Sequence, residues 1–142
     1  MREPLEFSVE FMHPSSIELM CETFLRSALA PKDIRLEYTL LRIGKTMPAI
    51  DIYGRSVKGN KIFAQVTYAH SNQKKVTTLI QFAQERGKTI LFSRDKKTKI
   101  NGLDYHFNIA DIFELFANSS ESKWQAMLRE LIGFTTVRTK SI

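Results

Sequence analysis

A tight hairpin near the middle of the chain constrains its fold more than any other feature. The tetrapeptide 58–61 (Lys-Gly-Asn-Lys) separates two strand-like segments, 49–57 and 61–69, and glycine and asparagine are the residues that hairpin turns favour. A helical pattern at 72–86 and a short apolar segment at 89–93 follow. Because a helix that joins two strands of one sheet makes them parallel, the sequence predicts a mixed sheet.

The segments before the hairpin predict one helix and one more strand. Apolar residues recur at helical spacing up to Pro31, and Ser15 with Glu18 three residues later has the arrangement of a capping box at the helix start. Residues 34–43 have strand character, and strict alternation at 5–11 predicts a short half-buried strand. The core therefore begins with a helix, which is followed by the strand at 34–43 and by the two strands that lead into and out of the hairpin.

The last third of the chain predicts one short strand and two helices. The strand is expected near 104–109 and the helices at 110–117 and between Ser119 and Gly133. We expect one α/β domain with the order helix, three strands, helix, strand, and with helices on both faces of the mixed sheet. Its bounds are 1–142, with an N-terminal strand or arm at 1–13 and a loose tail at 134–142.

The composition limits the classes of protein to which the chain can belong. No stretch approaches the eighteen apolar residues of a membrane-spanning helix, so we expect no membrane contact. The N-terminus lacks the apolar segment of a secretory signal. A single cysteine, Cys21, allows neither an internal disulfide nor a zinc cluster. These features predict a cytoplasmic protein.

The net charge of +6 is concentrated in the middle of the sequence. Residues 51–102 carry 11 Lys or Arg and 3 Asp or Glu, whereas 1–50 and 103–142 are each close to neutral. A concentrated positive field favours binding of a polyanion. The alternative is a solvated basic face that binds nothing.

Three polar residues on the hairpin strands are the candidates for chemistry. Asp51 lies within an apolar strand, and Gln65 and Thr67 share one face of the partner strand. An aspartate inside a sheet needs a partner, and a hard cation such as Mg²⁺ bound by Asp51 and Gln65 would be one. The alternatives are that Asp51 pairs with Arg55 or Lys45, or that it faces water.

This pattern resembles the PD-(D/E)XK nuclease superfamily, and most closely its Mrr-like restriction endonucleases. The resemblance is carried by 51–55 (Asp-Ile-Tyr-Gly-Arg), a hairpin, and 64–68 (Ala-Gln-Val-Thr-Tyr), and it extends over residues 15 to 116. It implies a restriction-endonuclease-like core of α-β-β-β-α-β order. It also implies a metal-dependent endonuclease that hydrolyses DNA phosphodiester bonds in restriction or DNA processing.

The chain departs from the motif at one position, where Thr67 replaces the lysine of the family. In the family, that lysine orients or deprotonates the attacking water, and a threonine hydroxyl has no charge with which to do so. Two interpretations remain open. Another lysine, with Lys75 and Lys74 as the nearest candidates, reaches the site, or the fold binds nucleic acid or a partner without cleaving.

The resemblance assigns further roles by position. Asp51 and Gln65 are the implied ligands of Mg²⁺ or Mn²⁺, and Glu18 matches a glutamate early in the first helix of the family, although its capping-box role would be purely structural. The implied catalytic set is Asp51, Gln65, Thr67, Glu18 and Lys75.

The basic residues of the middle segment are expected to contact the phosphates of duplex DNA. Such contacts position a duplex without reading its sequence. The candidates are Arg55, Lys58, Lys61, Lys74, Arg94, Lys96 and Lys97. A second copy of the chain is a further expected partner, since cutting both strands favours a homodimer.

Overall fold

The structure, a computed structural model, describes residues 12–40, 50–67, 73–83, 86–96 and 99–140, with side chains as far as residue 132. Five strands in this part of the chain form one mixed sheet. The predicted α/β class is confirmed. In chain order the elements are α1 (Pro14–Arg26), β1 (Leu36–Leu40), β2 (Ile52–Ser56), β3 (Lys61–Val66), α2 (Gln73–Ala83), β4 (Lys88–Ser93), β5 (Tyr105–Asn108), α3 (Ile109–Ala117) and α4 (Ser122–Lys140).

The strands lie in the order β1-β2-β3-β4-β5. β2 is antiparallel to both of its neighbours, β1 and β3. β3 and β4 are parallel, as the predicted helical crossover requires, and β5 is parallel to β4. The sheet therefore has two distinct ends. At the carboxyl end, β3, β4 and β5 finish and β2 begins; at the hairpin end, the turn at 57–60 joins β2 to β3.

Each face of the sheet has its own hydrophobic core. Ala64 of β3 and Phe92 of β4 belong to the core beneath α1, α3 and α4. Phe63 and Leu91, their neighbours along the strands, belong to a smaller core beneath α2. Because side chains alternate between faces along a strand, this assignment also fixes the face of each polar residue.

Gly54 allows β1 to approach β2 closely. A Cβ atom at this position would collide with the main-chain oxygen of Tyr38 and would lie 2.9 Å from a methyl group of Leu36. Glycine is therefore required here by the space available rather than by its backbone angles.

Two predicted helix boundaries are wrong. The side chain of His13 caps α1, since its Nδ1 accepts a hydrogen bond from the Ser15 amide at 3.1 Å. Pro14 is the first helical residue, a position at which proline is favoured, so the capping box of Ser15 and Glu18 does not form. At the other end of the chain, α4 continues through Gly133 to Lys140, because one glycine costs a helix only about 1 kcal/mol.

Part of the sequence prediction lies outside the described residues. The predicted strand at 5–11 belongs to the undescribed segment 1–11, and Lys45 belongs to 41–49. Among the helices that the structure describes, none combines the length and the apolar character needed to cross a membrane.

A hydrogen bond between Tyr105 and Asp33 joins the loop after α1 to the start of β5. The Tyr105 hydroxyl donates to the Asp33 carboxylate, with its oxygen 2.8 Å from Oδ1 and 3.0 Å from Oδ2. Burial, and then this hydrogen bond, raise the pKa of Tyr105 to about 12.

We predict that this contact makes the fold sensitive to high pH. The unfolded tyrosine ionises near pH 10, whereas the folded one keeps its proton to about pH 12. The free energy of unfolding should therefore fall as the pH rises from about 10 to about 12. Urea denaturation across this range should show a smaller fall for Tyr105→Phe than for the wild type. Equal falls would contradict the assignment.

Candidate active site at the carboxyl end of the sheet

Asp51 lies directly beside Gln65. The Asp51 amide donates to the Ala64 oxygen at 2.8 Å, and its carboxylate Oδ2 accepts from the Val66 amide at 2.8 Å. These two hydrogen bonds bracket Gln65 on the neighbouring strand. The hairpin therefore brings together the two residues for which the sequence predicts metal binding.

The side chain of Gln65 is buried and has an unsatisfied oxygen. The residue is 4% exposed, and its Oε1 accepts no hydrogen bond. Leaving a buried acceptor without a donor costs about 1–3 kcal/mol, and such groups in native proteins call for an explanation. A metal cation bound beside Asp51 would satisfy this oxygen and so explain its burial.

Thr67 extends the line of polar residues along β3. Its amide donates to the Phe92 oxygen at 2.8 Å, so the pairing of β3 with β4 continues one residue beyond the strand. Strand alternation places Thr67 and Gln65 on the face beneath α2, and Thr67 is 7% exposed. A longer side chain at this position would have to reach past the strand end to meet solvent.

Glu18 is half-buried on α1, the helix that also carries Cys21. The carboxylates of Glu18 and Asp51 both act on Cys21, a buried thiol: burial raises the pKa of Cys21 most, and the negative charges of Glu18 and Asp51 raise it further. The role that the resemblance implies for Glu18 stays a prediction.

Lys74 and Lys75 lie in the exposed first turn of α2. Since α2 follows β3, this turn is at the carboxyl end of the sheet. Neither a hydrogen bond nor an ion pair joins Lys75 to Asp51 or Gln65 in the described structure. The two lysines are placed to approach a ligand bound at this end rather than the side chain of Asp51 itself.

The other predicted DNA contacts fall into two groups. Arg94 and Lys96 follow β4 and lie at the carboxyl end, while Lys97 is outside the described residues. The remaining three, Arg55, Lys58 and Lys61, are at the hairpin end. Four residues of extended strand separate Arg55 from Asp51, about 13 Å, so the basic residues of the middle segment form no single surface.

Arg55, one of the two proposed charged partners, does not hold Asp51, and Lys45, the other, lies outside the described residues. Arg55 donates from Nη1 to the Gly59 oxygen at 2.8 Å, which directs its guanidinium towards the turn. Asp51 instead accepts a hydrogen bond from the Val66 amide, and this hydrogen bond was not predicted from the sequence.

A buried pair of polar residues near the site was also missed. Ser93 and His106 lie on adjacent parallel strands, with Oγ and Nε2 2.8 Å apart, and both are buried. Leu91 separates His106 from Gln65 in the strand register. The available signal was the position of both residues near the carboxyl ends of predicted parallel strands.

The donors present suit a hard cation but do not enclose one. Asp51 Oδ1 and Gln65 Oε1 are carboxylate and amide oxygens, the donors that Mg²⁺ and Mn²⁺ accept. The described residues contain no group of three or more His, Cys, Asp or Glu side chains arranged to hold a metal ion. Water and substrate oxygens would have to complete the coordination.

Comparison with protein-family models, curated proteins and solved structures found no match for this chain. The proposals below therefore depend on the sequence pattern and on the geometry just described.

We predict that Asp51 stabilises the fold through its oxygen rather than its charge. Asp51→Ala leaves the Val66 amide without its acceptor and should lower the free energy of unfolding by about 1–3 kcal/mol. Asp51→Asn retains an acceptor oxygen and should cost clearly less. Urea denaturation of both variants at pH 7 tests this, and equal losses would show that the negative charge is what matters.

Proposed function

We propose that this chain is a divalent-metal-dependent nuclease of the restriction-endonuclease-like class that hydrolyses DNA phosphodiester bonds. The observation that carries the proposal is the unsatisfied buried oxygen of Gln65 beside Asp51. The element order and the mixed sheet support it, because they match the core that the sequence resemblance implies.

Asp51 and Gln65 would hold the cation, Mg²⁺ or Mn²⁺. Once bound, it would polarise a phosphodiester and lower the pKa of a coordinated water. The hydrogen bond from the Val66 amide occupies one oxygen of Asp51, so the other oxygen and the unsatisfied Oε1 of Gln65 would bind the cation. Glu18 would add negative charge to the site from α1.

The surroundings at the carboxyl end favour an anionic substrate. The N-terminus of α2 carries a partial positive charge, and Lys74 and Lys75 lie on its first turn. Arg94 and Lys96 follow β4 at the same end. We assign phosphate contacts to these residues, which would position DNA over Asp51 without reading its bases.

Thr67 favours a second candidate function. A buried threonine occupies the position of the lysine of the resembled family, and no described lysine hydrogen-bonds to Asp51 or Gln65. The chain would then bind nucleic acid, or a partner on the same surface, without cleaving it. Both functions share the same surface and differ in the chemical step.

We further propose a homodimer in the cytoplasm as the working form. Two copies related by a two-fold axis would present two sites to the two strands of a duplex. Cys21 is buried, so it is inert core in this proposal.

The nuclease proposal predicts that metal binding and cleavage depend on Asp51. Wild type should bind Mn²⁺, measured by the loss of the free-ion EPR signal, and should nick supercoiled plasmid with Mg²⁺ or Mn²⁺. Asp51→Asn should do neither. Asp104→Asn is the matched control, because the Asp104 carboxylate also accepts an amide hydrogen bond, from Thr89 at 2.8 Å, but lies at the hairpin end.

The outcomes separate the two functions. Nicking that survives in Asp104→Asn and disappears in Asp51→Asn supports the nuclease. A salt-sensitive mobility shift with no nicking supports the binding module. Absence of both nicking and shifting contradicts each of them.

Restoring the missing lysine should increase cleavage. Thr67→Lys places an ammonium group on the face that holds Gln65, with a stem long enough to reach the strand end, and should raise the nicking rate about 100-fold or more. Thr67→Met, of similar length and uncharged, is the control. Equal rates for the two variants would show that position 67 does not serve the chemistry.

A further inference from the structure

Two cations face each other at the hairpin end, and no carboxylate of the described residues forms an ion pair with either of them. Arg55 and Lys61 are direct partners in the pairing of β2 with β3, and both are half-buried. Like charges directly opposite on antiparallel strands destabilise a sheet. A pair that is unfavourable in the free protein becomes favourable when an anion binds to both.

A third cation lies on the same face. Arg86 follows α2, and its guanidinium carbon is 6.0 Å from the centre of the Phe63 ring, two residues beyond Lys61 on β3. Gly87 packs directly against Lys61, with no space for a Cβ atom between them. The cations therefore continue from β2 across β3 to the end of α2, and Lys58 adds a fourth at the exposed turn.

The partners of these cations are main-chain oxygens. Arg55 donates to the Gly59 oxygen, and Arg86 donates to the Ala83 oxygen at 3.2 Å and to the Phe82 oxygen. No described carboxylate forms an ion pair with either arginine or with Lys61. Carbonyl oxygens hold the guanidinium groups in place without neutralising their charge.

Aromatic rings border the same cations. Tyr53 packs against Phe63 with ring centres 5.4 Å apart, and Arg86 lies over Phe82 at 5.3 Å. Tyr53 and Phe82 are both half-buried, so part of each ring faces solvent. Positive charge interleaved with accessible aromatic rings is typical of surfaces that bind single-stranded nucleic acid, and the positive charge by itself also suits the phosphates of a duplex.

We propose that Tyr53, Arg55, Lys58, Lys61, Phe82 and Arg86 form a second nucleic-acid-binding surface, here called the hairpin surface. It rests on the proposed function in that DNA is the ligand of both sites. The hairpin surface is separated from Asp51 by about 13 Å, which corresponds to about four base-pair steps of duplex DNA. It would hold the sugar–phosphate backbone away from the position of cleavage and so favour substrates that extend beyond the site.

Charge reversal at Lys61 should weaken DNA binding without destabilising the fold. Lys61→Glu puts a carboxylate opposite Arg55, and Lys61→Gln removes the like-charge contact, so neither should lower the melting temperature. Affinity for a 24-bp duplex, measured by fluorescence anisotropy, should fall at least ten-fold for Lys61→Glu. For Lys61→Gln, the slope of log affinity against log salt concentration should decrease in magnitude by about one.

Arg129→Glu is the matched control, since Arg129 is an exposed cation on α4 and lies outside the hairpin surface; it should leave affinity for the duplex nearly unchanged. DNA binding by the wild type that is unaltered in Lys61→Glu would overturn the hairpin surface and leave the proposed function standing. A wild type that binds no duplex would overturn both. Polyglutamate could also displace the labelled DNA at a lower concentration than an unlabelled duplex of the same total charge. This result would assign the surface to an acidic protein and refute the proposal.

Discussion

The parallel pairing of β3 with β4 determines where every other functional group can lie. α2 returns the chain across one face of the sheet, so β3 and β4 finish at the same end and β5 continues that arrangement. The first turn of α2 and the start of α3 are placed at this end for the same reason. Side chains from distant parts of the sequence thus meet at the carboxyl end, which is where open α/β sheets bind ligands.

Local patterns in the sequence predicted the elements better than they predicted the ends of those elements. The turn at Gly59 has a positive φ of 88°, which glycine adopts without strain, and this turn set the register that puts Asp51 beside Gln65. The cap of α1 was misassigned because histidine is an uncommon cap, whereas serine is a common one. The end of α4 was misassigned because one glycine is a weak signal for a helix terminus.

The location of the basic residues could not be read from their order. Arg55 and Lys61 are close in sequence to the motif residues, yet each lies at the opposite end of its strand from them. Residues only a few positions apart on an extended strand are far apart in space, since each residue advances the chain by about 3.3 Å. His106 illustrates the converse, because it contacts Ser93, which is thirteen residues away in sequence but lies on the adjacent strand.

Asp51 and Asp104 show how one structural device can serve two purposes. Each precedes a strand and accepts an amide hydrogen bond from the neighbouring strand, Asp51 from Val66 and Asp104 from Thr89. Such a contact closes the end of a ladder where the next residue would otherwise leave an amide unpaired. Of the two, only Asp51 has an unsatisfied amide oxygen on the neighbouring strand residue, and this difference is why we propose ligand binding at Asp51 and a purely structural role for Asp104.

An amide at position 65 also has a consequence for how strongly the two proposed ligands would bind together. With an amide in place of a second acid beside Asp51, a divalent cation held by these two residues would keep part of its charge unbalanced. A DNA phosphate would supply the missing negative charge, so cation and nucleic acid would each strengthen the binding of the other by the same factor. If the proposed site exists, it would be fully occupied only when both the cation and the nucleic acid are present.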